Sequence, residues 1–125
     1  METARPPAES RAGRVTIVSG NPETLDALQQ YLSAAGLGAA GTSRLDASLS
    51  AASKSSVVVL FPDDFQDEEV ESMLTRLCRS RPSVRTIVVT SRPGKFAGLR
   101  GPIVIPKPVW GWRILETIRN EGRTK

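Results

Sequence analysis

Few side chains in this 125-residue sequence could do chemistry. There is no histidine, which removes the commonest general base and metal ligand. The single cysteine, Cys78, cannot form an internal disulfide or a cysteine-based metal cluster. Most hydrolytic and zinc chemistries are therefore excluded, and neither a metal nor a cofactor is expected. Two adjacent carboxylates, Asp63 and Asp64, lie just beyond the apolar run Val57-Val58-Val59-Leu60-Phe61-Pro62. Ser19, Gly20, Asn21, Thr90, Ser91 and Lys107 follow other apolar runs. If those runs are parallel strands, these last six residues meet in the crevice outside the strand tips, where open α/β sheets bind ligands. Such a crevice could hold a small anionic ligand or a nucleotide. No GxGxxG or GxxxxGK[ST] loop is present to cradle a phosphate, which weakens that reading.

The elements that must position these residues alternate regularly. Val57–Leu60 is an unbroken run of β-branched and aliphatic residues, the pattern of a central strand buried on both faces. Residues 14–19 and 84–90 read as two further strands of the same kind. Asn21 is placed to cap a helix with Pro22 at its first position, and Leu25, Leu28, Tyr31 and Leu32 recur along it at helical spacing. Gly36 should end that helix. Residues 37–42, rich in Gly and Ala, predict a short edge strand, and Ser43 opens a small helix to about Ser53 with Leu45 and Leu49 inward. Asp67, Glu68 and Glu69 suit the first turn of a helix, with Arg76, Arg79 and Arg81 towards its end. Val70, Leu74, Leu77 and Cys78 are its expected buried stripe, so Cys78 is expected to fill core. Asp63 and Asp64 are expected to begin the loop and assist that helix start. Residues 91–102 hold three glycines and two prolines and can support at most one helical turn. Residues 103–106 predict a fifth strand, and 109–120 a last helix with Ile114, Leu115 and Ile118 inward.

Strands alternating with helices specify an α/β fold, a doubly wound five-stranded parallel sheet with right-handed crossovers, and 2-1-3-4-5 is the economical order. The order of elements, Asn21-Pro22 at the first helix, Thr90 at a strand end and Pro106-Lys107-Pro108 before the last helix resemble the receiver domain of two-component response regulators. The resemblance covers residues 14 to 120. It implies an acidic pair for Mg²⁺ where this chain has Ser19 and Gly20, and a phosphorylated Asp where it has Phe61. It assigns the switch hydroxyl to Thr90, the phosphate-contacting lysine to Lys107 and the switch aromatic to Val104. It also implies a cis bond at Lys107–Pro108. Ser and Gly supply no carboxylate to a magnesium ion, and Phe61 cannot form an acyl phosphate. The expectation is a degenerate, pseudo-receiver type with no enzymatic activity, its phosphorylation pocket reduced to Ser19, Gly20, Phe61, Thr90 and Lys107. Lys107 should then snorkel outward or pair with Asp63 or Asp64. Only seventeen positions separate Thr90 from Lys107, fewer than the resemblance implies, which predicts a shortened fourth helix.

Charge is polarised along the chain. Residues 1–75 hold five Lys and Arg against eleven Asp and Glu, and residues 76–125 hold twelve against two. A basic half is either a solvated surface or a site for an acidic partner, and nonspecific nucleic-acid binding is a further alternative. Residues 1–13 read as a disordered tail, 14–121 as the domain and 122–125 as a basic tail. With no apolar signal core or membrane-length run, a cytoplasmic protein is expected, and the resemblance implies a bacterial one. Trp110 and Trp112 either cover the apolar floor left by the short fourth helix or form an exposed contact. As a contact they would be rimmed by Arg92, Lys95, Arg100 and Arg113. The favoured function is a phosphorylation-independent protein-interaction module of a signalling pathway. It would dock a protein partner or a second copy through the fourth strand, fifth strand and last helix.

Overall fold

The computed structural model describes residues 14–45, 56–80, 84–96, 101–107 and 111–123. In chain order these form β1 (Arg14–Val18), α1 (Pro22–Ala34), β2 (Gly38–Thr42), β3 (Val57–Leu60) and a 3-10 turn (Pro62–Asp64). Then come α2 (Asp67–Ser80), β4 (Arg85–Thr90), α3 (Pro93–Phe96), β5 (Ile103–Pro106) and α4 (Gly111–Arg123). All neighbouring strands pair in parallel, in the order β2-β1-β3-β4-β5.

The apolar runs are continuous because each central strand feeds two cores. Val15, Ile17, Val57, Val59, Ile87 and Val89 pack on one face with Leu28 and Leu32 of α1 and with Ile114, Leu115 and Ile118 of α4. The intervening Val18, Val58, Leu60 and Val88 pack on the other face with Val70, Met73, Leu74 and Leu77 of α2 and with Phe96 of α3. Each fully buried side chain of this size stabilises the fold by roughly 1.5–3 kcal/mol relative to exposure. β2 contributes little, and its glycines and alanines stand at the sheet edge as expected.

Local signals act as their chemistry requires. The Asn21 side chain accepts from the Glu23 and Thr24 amides at the start of α1. Gly36 takes φ +97° just after α1, a conformation that a residue with a Cβ rarely adopts. Among the described residues, α3 is the only helix between β4 and β5, and it has four residues.

Three expectations need correction. Cys78 is exposed and is not core. The inward stripe of α2 is Val70, Met73, Leu74 and Leu77, and Cys78 lies about 80° round the helix from Val70. Tyr31 belongs by spacing to the inward stripe of α1, yet it is 40% exposed. Finally, α4 continues through Arg123, so residues 122 and 123 are helical and not part of a tail. The expected tail 1–13, the small helix beyond Leu45, Arg100, Trp110 and the proline of the Lys107–Pro108 bond lie outside the described residues.

Candidate functional site

The 3-10 turn after β3 builds the site. Phe61 extends the ladder by one bond, its amide donating to Val18 O at 2.9 Å. Pro62 then sets the first position of the turn, which is closed by Asp64 N–H to Phe61 O (3.3 Å) and Phe65 N–H to Pro62 O (3.0 Å). The chain therefore curls back over the sheet edge instead of leaving it. Asp63 and Asp64 are presented to the tips of neighbouring strands.

Asp64 turns towards β1. Its Oδ2 accepts from the Ser19 hydroxyl at 2.6 Å and the Gly20 amide at 3.0 Å. Ser19 is fully buried, and its oxygen in turn accepts from the Asn21 amide at 3.0 Å, which joins the site to the cap of α1. A Cβ at Gly20 would stand 3.1 Å from the Asp64 Cβ and 3.4 Å from its carbonyl oxygen, so the turn itself crowds the space that a side chain at position 20 would need.

Asp63 turns the other way, towards β4 and β5. The Thr90 hydroxyl donates to its Oδ1 at 2.6 Å, and the Ser91 amide and hydroxyl donate to its Oδ2 at 2.8 and 2.9 Å. The Lys107 ammonium stands 3.4 Å from the same Oδ2. Thr90 is completely buried, and its oxygen accepts from the Arg92 amide at 3.0 Å. Burial of Asp63 would raise its pKa, but the bonds from Thr90 and Ser91, with the charge of Lys107, overcome this and hold it well below the usual carboxylate range.

Phe61 closes the floor. It is 6% exposed and belongs to the core between the sheet, α1 and α4. The Lys107 ammonium lies 5.9 Å from its ring centroid, at the outer limit of a cation–π contact. Above it a cleft of about 550 Å³ opens between α1 and α4, lined by Asn21, Thr24, Tyr31, Asp64, Lys107 and Gly111 among others. It lies at the β1/β3 switch point, the position at which such sheets bind ligands.

The structure thus gathers all five expected pocket residues, Ser19, Gly20, Phe61, Thr90 and Lys107, at one edge. It adds Asp63 and Asp64, and Ser91 joins them from the residues expected in the crevice. Placing the two carboxylates only at the loop and helix start was incorrect, because the 3-10 turn reverses their direction. Of the two outcomes open to Lys107, pairing with Asp63 is the one observed. The available signal was this pair of acids directly after Pro62, together with a lysine and a strand-end threonine that the resemblance places at the same edge.

Two of the residues expected to rim the tryptophans, Arg92 and Lys95, are held elsewhere. Arg92 and Lys95 bond Asp67 of α2 at 3.0 and 3.3 Å, and Lys95 also approaches Glu71 at 3.9 Å. They therefore face the α2 side of the sheet, whereas α4 packs on the opposite side. They cannot line a groove against α4. Arg92 and Lys95 together hold the Asp67 carboxyl below its ordinary pKa, with the Arg92 hydrogen bond as the largest cause. Trp112 is 54% exposed and Arg113 is exposed beside it. The Tyr31 ring packs against Gly111, one residue from Trp112.

No protein-family model matches the sequence, and no curated protein matches it. Solved structures do. A receiver domain protein (CheY-like) from Methanospirillum hungatei is similar with a TM-score of 0.68 at 23% identity, over 86% of this chain and 91% of that one. A Francisella response regulator receiver domain gives a TM-score of 0.74 at 16% identity, over 90% and 99% of the two chains. A response regulator receiver protein from Sinorhizobium medicae gives a TM-score of 0.74 at 12% identity, over 86% and 91%. The chain has the receiver fold. At the carboxyl edge of that fold, the positions that the resemblance assigns to acids and to the phosphorylated Asp hold Ser19, Gly20 and a buried Phe61.

Proposed function

We propose that this receiver-fold chain is a phosphorylation-independent interaction module of a signalling pathway, working in the cytoplasm without catalysis. The observation that carries this reading is Asp63. The hydroxyl, amide and ammonium groups around the strand tips are already engaged by a carboxylate of the chain itself. The same observation counts against an anionic ligand or nucleotide in that crevice, since its donors are taken. Nonspecific nucleic-acid binding is disfavoured because Arg92, Lys95 and Lys107 are each ion-paired, leaving less positive surface for phosphates. Among the described residues, no group of three or more metal-ligating side chains occurs, and no helix is long and apolar enough to cross a membrane.

The docking surface in this reading is the face of β5 and α4, with Trp112 as aromatic contact and Arg113 beside it. Exposed aromatic residues next to arginine are frequent hot spots. Two measurements test the reading. Acetyl phosphate with Mg²⁺ should leave the mass of the protein unchanged, and a phosphoryl adduct on Asp63 or Asp64 overturns phosphorylation independence. Concentration-dependent sedimentation, alone and with a candidate pathway protein, should show association that Trp112→Ala weakens. Unchanged association in that variant removes α4 as the docking face.

A further inference from the structure

Three neighbouring strands end at one carboxylate. β3 delivers Asp63 through the 3-10 turn, β4 delivers the Thr90 hydroxyl and both donors of Ser91, and β5 delivers the Lys107 ammonium. Thr90 is completely buried and Lys107 is about two-thirds covered, its side chain 33% exposed. Without an anion, the Thr90 hydroxyl would lose its acceptor where water does not reach, which is costly, and the partly exposed Lys107 ammonium would lose its counter-ion. Two hydroxyls, one backbone N–H and one ammonium converging from three sides form a donor set for a small oxyanion. The carboxylate uses both of its oxygens to satisfy that set.

We propose that Thr90, Ser91 and Lys107 form an oxyanion cradle whose permanent ligand is the chain's own Asp63 carboxylate, locking the tips of β3, β4 and β5 in one arrangement. The lock extends beyond the cradle. Thr90 holds the Arg92 amide, Lys107 N–H donates to Thr90 O at 2.9 Å, and the Arg92 side chain continues to Asp67 on α2. The segment leading into α3 is thereby fixed to both β5 and α2. The strongly favoured ionised form of Asp63 keeps the ligand charged under all ordinary conditions. This inference rests on the phosphorylation-independent reading and supplies its physical basis: an anion built into the chain does the work of one supplied from outside.

The test is chemical rescue of the full chain carrying Asp63→Ala. Formate, acetate and inorganic phosphate are titrated at constant ionic strength against a chloride control, and the unfolding equilibrium and the Ser91 and Arg92 amide resonances are followed. Losing several bonds to a charged acceptor should raise the unfolding constant of the variant about tenfold or more. Formate or phosphate, but not chloride, should reverse much of that loss and return the Ser91 amide towards its wild-type resonance. The wild type should not respond. The cradle is refuted if the Ser91 amide is the same in variant and wild type, or if the anions act equally on both or on neither. Should Asp63→Ala fail to fold, Asp63→Asn, which keeps the shape without the charge and leaves no space for an added anion, is judged by the unfolding constant and the Ser91 and Arg92 resonances alone, and no change in them refutes the cradle. A phosphoryl adduct on wild-type Asp63 would defeat the functional reading while leaving the rescue of the variant intact, so the two failures are distinguishable.

Discussion

The carboxyl edge of the sheet and the first turn of α4 satisfy their side chains in opposite ways. At the edge, Ser19, Gly20, Thr90, Ser91 and Lys107 all reach a carboxylate of the same turn, and the largest hydrophobe, Phe61, is buried. At α4, Trp112 leaves more than half of its surface in solvent, with Tyr31 also exposed nearby. A region whose polar groups are internally paired has little free energy left to gain from a ligand. An exposed tryptophan retains the apolar area that a partner could cover. The edge is where this fold is held, and the start of α4 is where it has surface to offer.

The largest effect on stability should come from Phe61→Ala. Truncating an aromatic in a packed core costs about 3 kcal/mol or more, measured by urea denaturation. A loss well under that would mean that the strand tip is more open than its 6% exposure indicates.

Asp63→Ala should cost about 2 kcal/mol at neutral pH, since several donors lose a charged acceptor together. The sign of the pH dependence follows from the lowered pKa. Asp63 contributes fully above the ordinary carboxylate value near 3.9, and the contribution is lost as pH falls below it towards the folded-state value. The gap in stability between wild type and Asp63→Ala should therefore be constant from neutral pH to about pH 5 and shrink steadily in more acid solution. A gap that widened with acid would show that Asp63 is not held ionised by its neighbours.

Asp64→Ala should cost less, about 1 kcal/mol, because Asp64 is exposed and gathers two donors without a cation. Equal losses for the two variants would erase the difference between the halves of the turn.

Trp112→Ala should have the smallest effect on folding, within about 0.5 kcal/mol, as for surface substitutions in general. If α4 is the docking face, affinity for the partner should nevertheless fall about thirtyfold, the cost of truncating a central aromatic contact. Several kcal/mol of lost stability with normal binding would assign Trp112 to the core and overturn the contrast.

Particular segments show how much could be read without coordinates. The nearly continuous runs of apolar and β-branched residues at 15–18, 57–60 and 85–90 identified central parallel strands, because a strand buried on both faces shows no regular polar alternation. Asn21-Pro22 and Gly36 marked the ends of α1 through bonds that depend only on near neighbours. Helical spacing alone misplaced Cys78 and Tyr31. Both sit at the margin of an inward stripe, where a small rotation of the helix against the sheet decides burial.

The sequence by itself therefore determined the order of elements, the parallel sheet and the short α3. These follow from local propensity and hydrophobic period. The tertiary structure alone decided what Asp63 and Asp64 do. Their partners lie 27 and 45 positions away in the chain, on strands brought to the same edge by the crossovers. A carboxylate in a turn has no intrinsic preference between solvent and such donors. Only the direction of the 3-10 turn, set against Ser19, Thr90 and Lys107 in space, turned two loop residues into the centre of the site.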